Sequence, residues 1–341
     1  MKPVIICGGI GSKMWPASRQ KSPKHFLKLI GEKSLFQLNY EILRKKFEPG
    51  EIFLQTNADQ AKIAMEQEPE IVMENVFIEP EMRDQGPATG FAAAMLMKRG
   101  LADEPFMLIQ ADVLREPAEY FLKLIDIFDE SIKREGKLMT GGMKPSFAVM
   151  GVDYLVVDPE THRMSKWLGR GTKEEVEGYL STGEALIHTN HYAWTARKLL
   201  ECFQKLRPEW YQPLMNIVAG DDVAEEYGRM PKGRIEEVTH TELANGFVYE
   251  LPFRWIDFGT WESVSKYLGQ NPSTGSENGV QIDSKDNLIR MPQGKMIATI
   301  GVENLVIVDT GDALLVMKKD QSGRVGEVVD KLKEEGKTEL L

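Results

Sequence analysis

The sequence predicts an α/β protein: a doubly wound, mostly parallel sheet with helices on both faces, then a small C-terminal β segment of solenoid type. Three observations lead there. Short apolar runs alternate with helix-length segments through residues 1–110, and alternation of this length builds a parallel sheet. A Pro/Gly/Ser/Asn stretch, QNPSTGSEN at 270–278, marks a linker. Beyond it, NLIRM, MIATIG, NLVIVDT and DALLVMK follow closely as short β-branched runs, as stacked rungs would, although no repeat of fixed period is visible.

Taken in order, residues 3–7 (PVIIC) form a buried strand that runs into glycines. A helix is expected from about residue 34 (SLFQLNYEILRKKF), a strand at 52–56, a helix at 58–68 and a strand at 76–78. An alanine-rich helix follows at 87–99, then a strand at 106–109 leading to Gln110-Ala111-Asp112. Residues 138–157 are strand-rich, 173–180 and 196–206 helical, and 247–258 strand-like before a turn. Residues 323–336 form an amphipathic charged helix. The division expected is residues 1–269 as the catalytic domain and 279–341 as the β segment with its terminal helix. The β segment either covers apolar surface of its own chain or pairs two subunits, so a homodimer is one of two readings.

The 341 residues carry 42 Lys and Arg against 52 Asp and Glu, a formal net charge of −10. That balance argues against nucleic acid or an anionic membrane as the main partner. Two cysteines, Cys7 and Cys202, show neither metal spacing nor a disulfide framework, which fits a reducing compartment. The N-terminal apolar run is too short for a signal-peptide core, and no run reaches the length of a membrane span. The expected location is cytoplasmic.

The densest chemistry lies in GGIGSKMWPASRQKSPKHF, residues 8–26. Glycines 8, 9 and 11 remove side chains where backbone amides can approach an anion, and such a loop after a strand can cradle phosphates. Residues 1–31 contain Lys2, Lys13, Arg19, Lys21, Lys24 and Lys28 with no Asp or Glu. A triphosphate needs such charge to bind and to stabilise the pyrophosphate that leaves. No GK[ST] follows the glycines, so this is not a P-loop, and no third glycine completes a dinucleotide fingerprint. The plain alternative is a tight βα turn with a solvated basic face.

This stretch resembles the nucleotidyltransferase signature GGxGxRLxPxSxxxPKxF. Trp15-Pro16 and Ser18-Arg19 resemble the mannose-1-phosphate guanylyltransferase family in particular. The resemblance implies a Rossmann-like catalytic domain, GTP and a hexose 1-phosphate (mannose 1-phosphate) as substrates, Mg²⁺, and pyrophosphate as co-product. It places Gly8, Gly9, Gly11, Ser12 and Lys13 at the nucleotide and gives Lys13 and Lys24 catalytic charge roles. EPEMRDQGPAT, residues 79–89, resembles the family's EPxxrNTAPA segment, adding Glu79 and Pro87 to the nucleotide contacts. A carboxylate there suits the N1–H and N2–H₂ edge of guanine, which uracil lacks. Asp112 stands where the family has Pro-Ala-Asp-His, and Asp257 lies in RWIDFGTW, similar to WxDxGxW. Together they are the expected metal pair. The implied reaction is direct attack of the sugar phosphate on the α-phosphorus, with no activated Ser, Cys or His. The histidines at 25, 162, 188, 191 and 240 are then mostly packing or surface residues.

The sequence also departs from the family pattern. The signature Arg is Lys13, which keeps charge and loses the bidentate fork. The phosphate-gripping EKP is Gly169-Arg170-Gly171, and the WNSGMF-like segment reads Ile187-His188-Thr189-Asn190-His191-Tyr192. Gly151 and Tyr154 keep part of a sugar segment. Gly151, Arg170, His188 and Asn190 are the sugar-phosphate candidates. The alternatives are a different sugar 1-phosphate, or a non-catalytic nucleotide-sugar-binding regulatory homologue.

Overall fold

The structure, a computed structural model, describes residues 1–149, 152–243, 246–269 and 279–341. The first twelve strands are β1 (Lys2–Ile6), β2 (Phe53–Thr56), β3 (Val76–Ile78), β4 (Pro105–Gln110), β5 (Val113–Glu116), β6 (Met139–Met143), β7 (Tyr154–Val157), β8 (Met164–Gly169), β9 (Ala185–His188), β10 (Ala193–Thr195), β11 (Phe247–Glu250) and β12 (Arg254–Asp257). The helices are α1 (Leu35–Arg44), α2 (Ala58–Gln67), α3 (Gln85–Lys98), α4 (Ala118–Glu135), α5 (Lys173–Thr182), α6 (Ala196–Leu206), α7 (Pro208–Ala219), α8 (Val223–Arg229), α9 (Glu236–Leu243), α10 (Trp261–Leu268) and α11 (Val325–Glu334). Packing sorts them into two units interleaved in sequence. One holds Met1–Ile6, Tyr40–Gln110 and Arg115–Trp255, and the other holds Cys7–Asn39, Ala111–Leu114 and Ile256–Leu341.

The first unit is built on one sheet ordered β3-β2-β1-β4-β10-β6-β9-β7-β8, with β11 also on β6. Strands β1 to β4, β6, β7 and β11 run one way and β8, β9 and β10 the other. The expected mostly parallel α/β sheet is present. Its parallel half reads as continuous apolar runs because both faces are covered: Val4, Phe53, Phe77, Phe106 and Leu108 all lie in the core. Helix α2 starts where the Asn57 side chain accepts from Gln60 N–H at 2.9 Å. Helix α4 buries Phe121, Leu124, Ile125, Phe128 and Ile132, a stripe at helical spacing.

The single strand expected at 247–258 is two, β11 and β12. Pro252 between them has no N–H to continue a ladder, and the preceding Leu251 N–H still donates to Gly142 O at 2.8 Å. The linker expected at 270–278 lies outside the described residues.

The second unit contains β13 (Gly279–Ile282), β14 (Leu288–Arg290), β15 (Ile297–Ile300), β16 (Leu305–Asp309) and β17 (Leu314–Lys318). Pairing is parallel with each partner 18 residues on: Gly279 faces Ile297, Lys285 faces Glu303 and Leu288 faces Val306. The segment is thus a solenoid with an 18-residue coil. Its corners repeat at the same step, with positive φ at Asp283 (49°) and Gly301 (64°), and at Asp286 (54°) and Asn304 (57°). Asn287 ties the coils, donating to Val302 O at 3.1 Å and accepting from Leu305 N–H at 2.9 Å. Antiparallel β17 ends the stack.

The solenoid shares a core with residues far from it in sequence. Met14, Trp15, Leu29 and Leu35 pack with Phe258, Trp261 and Val264, and with Leu288, Val306, Val308, Leu315, Val325 and Val329. Helix α1 begins with a reciprocal cap: Gln37 N–H donates to Ser34 Oγ, and Ser34 N–H donates to Gln37 Oε1, both at 3.1 Å. Among the described residues, no helix is long and apolar enough to cross a membrane.

Candidate active site

In the second unit the chain leaves β1 into the glycine loop. Gly9 and Gly11 take φ of 73° and 81°, values at which a side chain is strained. Gly11 has a second reason to lack one, since a Cβ there would meet the Lys24 stem at 2.6 Å. The rest of the motif returns Lys24 to this point. Ser18 Oγ and Lys24 N–H both donate to Ile10 O, the latter at 3.1 Å. The spacing of serine and Pro-Lys in the motif is therefore that of a loop closed on one carbonyl.

Lys24 Nζ lies 2.6 Å from Asp112 Oδ2 and 3.8 Å from Asp257 Oδ1. The three residues expected to share a site do so. Burial alone would lower the Lys24 pKa, but Asp112 and Asp257 outweigh it and hold the ammonium above its ordinary value. Burial pushes the Asp112 carboxyl up, and Lys24 overrides that, holding it below the ordinary range. Asp257 keeps 46% of its side-chain surface, yet crowding by protein still removes enough water to raise its pKa. Asp112 adds to that rise and Lys24 offsets part of it.

Backbone and side-chain bonds fix both acids. Phe258 N–H reaches Asp112 O at 3.4 Å, and the Gly259 N–H bonds to the Asp257 carboxylate. A Cβ on Gly259 would stand 3.3 Å from both Asp257 oxygens. Trp261 Nε1 donates to Trp15 O at 3.0 Å, joining the tryptophans of the first and last motifs.

Ser12 and Lys13 are exposed in a short 3-10 turn, and Gly8 is exposed as well. Arg19 has another task than the basic character of the stretch suggested. Its guanidinium donates to Asp312 at 3.1 Å and to Pro16 O at 2.6 Å, tying the loop to the turn between β16 and β17.

The first unit holds the remaining candidates. Glu79 follows β3; its Oε1 accepts from Tyr227 Oη at 2.6 Å and its Oε2 from Gln55 Nε2 at 3.2 Å. Burial raises its pKa while those two donors pull it down. Pro87 is buried in the first turn of α3, after Asp84 at φ 65°.

Arg170 is 66% exposed, 3.8 Å from Asp153, which also accepts from Arg234 at 3.1 Å. His188 is only 6% exposed, with its ring against Thr140 (3.2 Å), Trp167 and Tyr192. Burial, with His240 and Arg234 nearby, pushes its pKa down to about 3. This packed ring leaves little surface for the expected sugar-phosphate contact. Asn190 has φ 55°, which explains how asparagine replaces the family's glycine. Its carbonyl accepts from Gln110 Nε2 at 2.8 Å, and its buried Oδ1 has no hydrogen-bond partner among the described residues. Gly151 lies outside the described residues.

Sequence reasoning missed Asn39, Gln55, Tyr227 and Gly259. Asn39 and Gln55 are polar residues inside apolar runs, a readable signal, whereas Tyr227 lies in a charged helix. Only the fold shows what they touch.

Residues 2–270 match the family model described as nucleotidyl transferase. The chain belongs to the nucleotidyl transferase family. Residues 277–332 of this nucleotidyltransferase match a second model, the mannose-phosphate isomerase/GMP-like β-helix domain. It is 28% identical to a mannose-1-phosphate guanylyltransferase of Escherichia coli, over 99% of this chain and 75% of that protein. It is 26% identical to the xanthan biosynthesis protein XanB of Xanthomonas campestris, over 99% and 74%. A crystal structure from Thermus thermophilus, described as a mannose-1-phosphate geranyltransferase, superposes with a TM-score of 0.86 at 26% identity, covering 98% of this chain and 100% of that one. The nucleotidyltransferase is a sugar-1-phosphate enzyme of a family that generally uses a divalent metal.

The residues present fit such an ion. Asp112 and Asp257 offer two hard oxygen donors, and the ammonium of Lys24 between them marks a place that holds positive charge. Among the described residues no group of three or more His, Cys, Asp or Glu converges as a metal site. Two carboxylates are the donor number Mg²⁺ takes from protein, with waters and phosphate oxygens filling the rest.

Proposed function

We propose that this nucleotidyltransferase moves the guanylyl group of GTP to mannose 1-phosphate, giving GDP-mannose and pyrophosphate. The observation that carries the reading is Lys24 set between Asp112 and Asp257, against the glycine loop. An oxygen of the sugar phosphate attacks the α-phosphorus. The bond to the oxygen bridging the α- and β-phosphorus breaks, and pyrophosphate leaves with its electron pair. The nucleophile is already an anion, so alignment and charge stabilisation make the rate.

In this reading Gly8, Gly9, Gly11 and Ser12 present backbone to the polyphosphate, and Lys13 and Lys24 stabilise charge on the leaving group. Asp112 and Asp257 hold Mg²⁺, which supplies orientation and charge screening when bound. Pro87 starts the helix beside the nucleotide. Glu79, its pKa raised by burial against the partial pull of Tyr227 and Gln55, accepts from the guanine edge in its ionised form. Arg170 and Asn190 serve the sugar phosphate. The names of the relatives support the choice of mannose.

A transferase for another hexose 1-phosphate is the second reading, favoured by the enclosed His188 and by Arg170 in place of lysine. One panel tests both: four nucleoside triphosphates against several hexose 1-phosphates, with and without Mg²⁺, read as pyrophosphate release. GTP with mannose 1-phosphate should be fastest. A folded protein that releases pyrophosphate with no hexose 1-phosphate overturns the reading.

A further inference from the structure

A buried asparagine side chain grips the backbone on both sides of Asp112. Asn39 lies in α1 and is 1% exposed. Its Nδ2 is 3.2 Å from Ala111 O, 2.9 Å from Val113 O and 2.9 Å from Leu35 O. An amide carries two hydrogens for these three acceptors, so one is shared. The carbonyl between the two gripped ones, that of Asp112, takes the Phe258 N–H. Three successive carbonyls are thereby held, and Asp112 has little freedom to swing.

Helix formation does not call for this residue. Asparagine is a poor interior helix former, and a buried amide must find partners. Leucine at that point of an apolar helical face would suit the packing better. What asparagine adds is donors directed at the turn that carries Asp112.

We propose that Asn39 is a positioning residue for nucleotidyl transfer, holding the Asp112 carboxylate at the angle that a metal ion and the reacting phosphates require. The proposal rests on the transfer reading above. It concerns a group that touches neither substrate nor ion and acts through the backbone, as outer partners of metal ligands do.

The test uses the full chain with Asn39→Ala and with Asn39→Ser, which keeps one donor. Asn39→Ala should lower kcat about 10- to 100-fold, leave the KM for GTP within about threefold, and raise the Mg²⁺ concentration needed for half-maximal rate. Asn39→Ser should fall between it and the wild type. Mn²⁺ binding to the protein–GTP mixture, followed by electron paramagnetic resonance, should weaken in the same order without any turnover. Leu43→Ala, a cavity in the same helix, should lower the melting temperature and leave kcat and the Mg²⁺ midpoint in place.

A folded Asn39→Ala with wild-type kcat and metal dependence overturns the proposal. So does failure of both Asn39 variants to fold, which makes the amide a folding determinant. If the wild type itself releases no pyrophosphate, the transfer reading fails separately, and the order of Mn²⁺ affinities still decides the positioning role.

Discussion

Glu79 shows how much a single side chain can depend on its neighbours. Burial pushes its carboxyl toward the neutral form, and the Tyr227 hydroxyl and Gln55 amide pull it back. A donor to the ionised form lowers a carboxyl pKa, so Tyr227→Phe should raise that of Glu79. Glu79 protonates as pH falls through its pKa. The acid limb of kcat/KM for GTP should therefore move to higher pH, with KM up about fivefold to thirtyfold at neutral pH, an effect of about 1–2 kcal/mol. An unchanged KM and acid limb would remove Glu79 from base recognition. At the phosphate end, Lys24→Ala leaves Asp112 and Asp257 facing each other without their shared cation. It should cost about 100-fold in kcat with only a modest change in melting temperature, since Asp257 is half exposed. Steady-state rates and thermal melts read both.

Among the elements, the glycine loop is the most demanding. Gly11→Ala places a Cβ at φ 81° and against the Lys24 stem. Positive φ alone costs about 1–2 kcal/mol, and the displaced lysine should cut kcat/KM at least about tenfold. An active alanine variant with normal stability would show that the loop relaxes freely. This element was legible in sequence because its chemistry is local: glycines, serine and Pro-Lys at fixed spacing close on Ile10. Helix α4 was not read from the sequence, although residues 121, 124, 125, 128 and 132 repeat at helical spacing. The 18-residue coil was harder. Its sign is not a repeated word but recurring Asp, Asn or Gly at corners, at 283 and 301 and at 286 and 304, among side chains that vary freely. Asn39 was visible as a polar residue in an apolar helix, but its role needs residues 111 and 113, which only tertiary structure brings near. His188 stands in the segment that resembles the family's sugar segment, and only the fold shows how far its ring is buried.

For the molecule as a whole, the consequence lies in how the chain is shared out. The sequence suggests a division at 270–278, and the two family models match residues 2–270 and 277–332. Packing does not follow that division. Met14, Trp15, Leu29, Leu35 and Trp261 are covered by the solenoid and α11. Each large apolar side chain so covered contributes about 1.5–3 kcal/mol. A chain cut after residue 269 should therefore lose pyrophosphate release and expose apolar surface, seen as dye binding and aggregation. A soluble, active 1–269 fragment would show that the shared core is dispensable.

That shared core also orders events in time. A ribosome delivers residues 7–39 well before their packing partners, residues 288–329. Until those partners emerge, the nascent glycine loop lacks the packing that settles it, and its tryptophan and leucines stay open to chaperones. The loop proposed to meet the triphosphate is thus made well before the side chains that complete its packing.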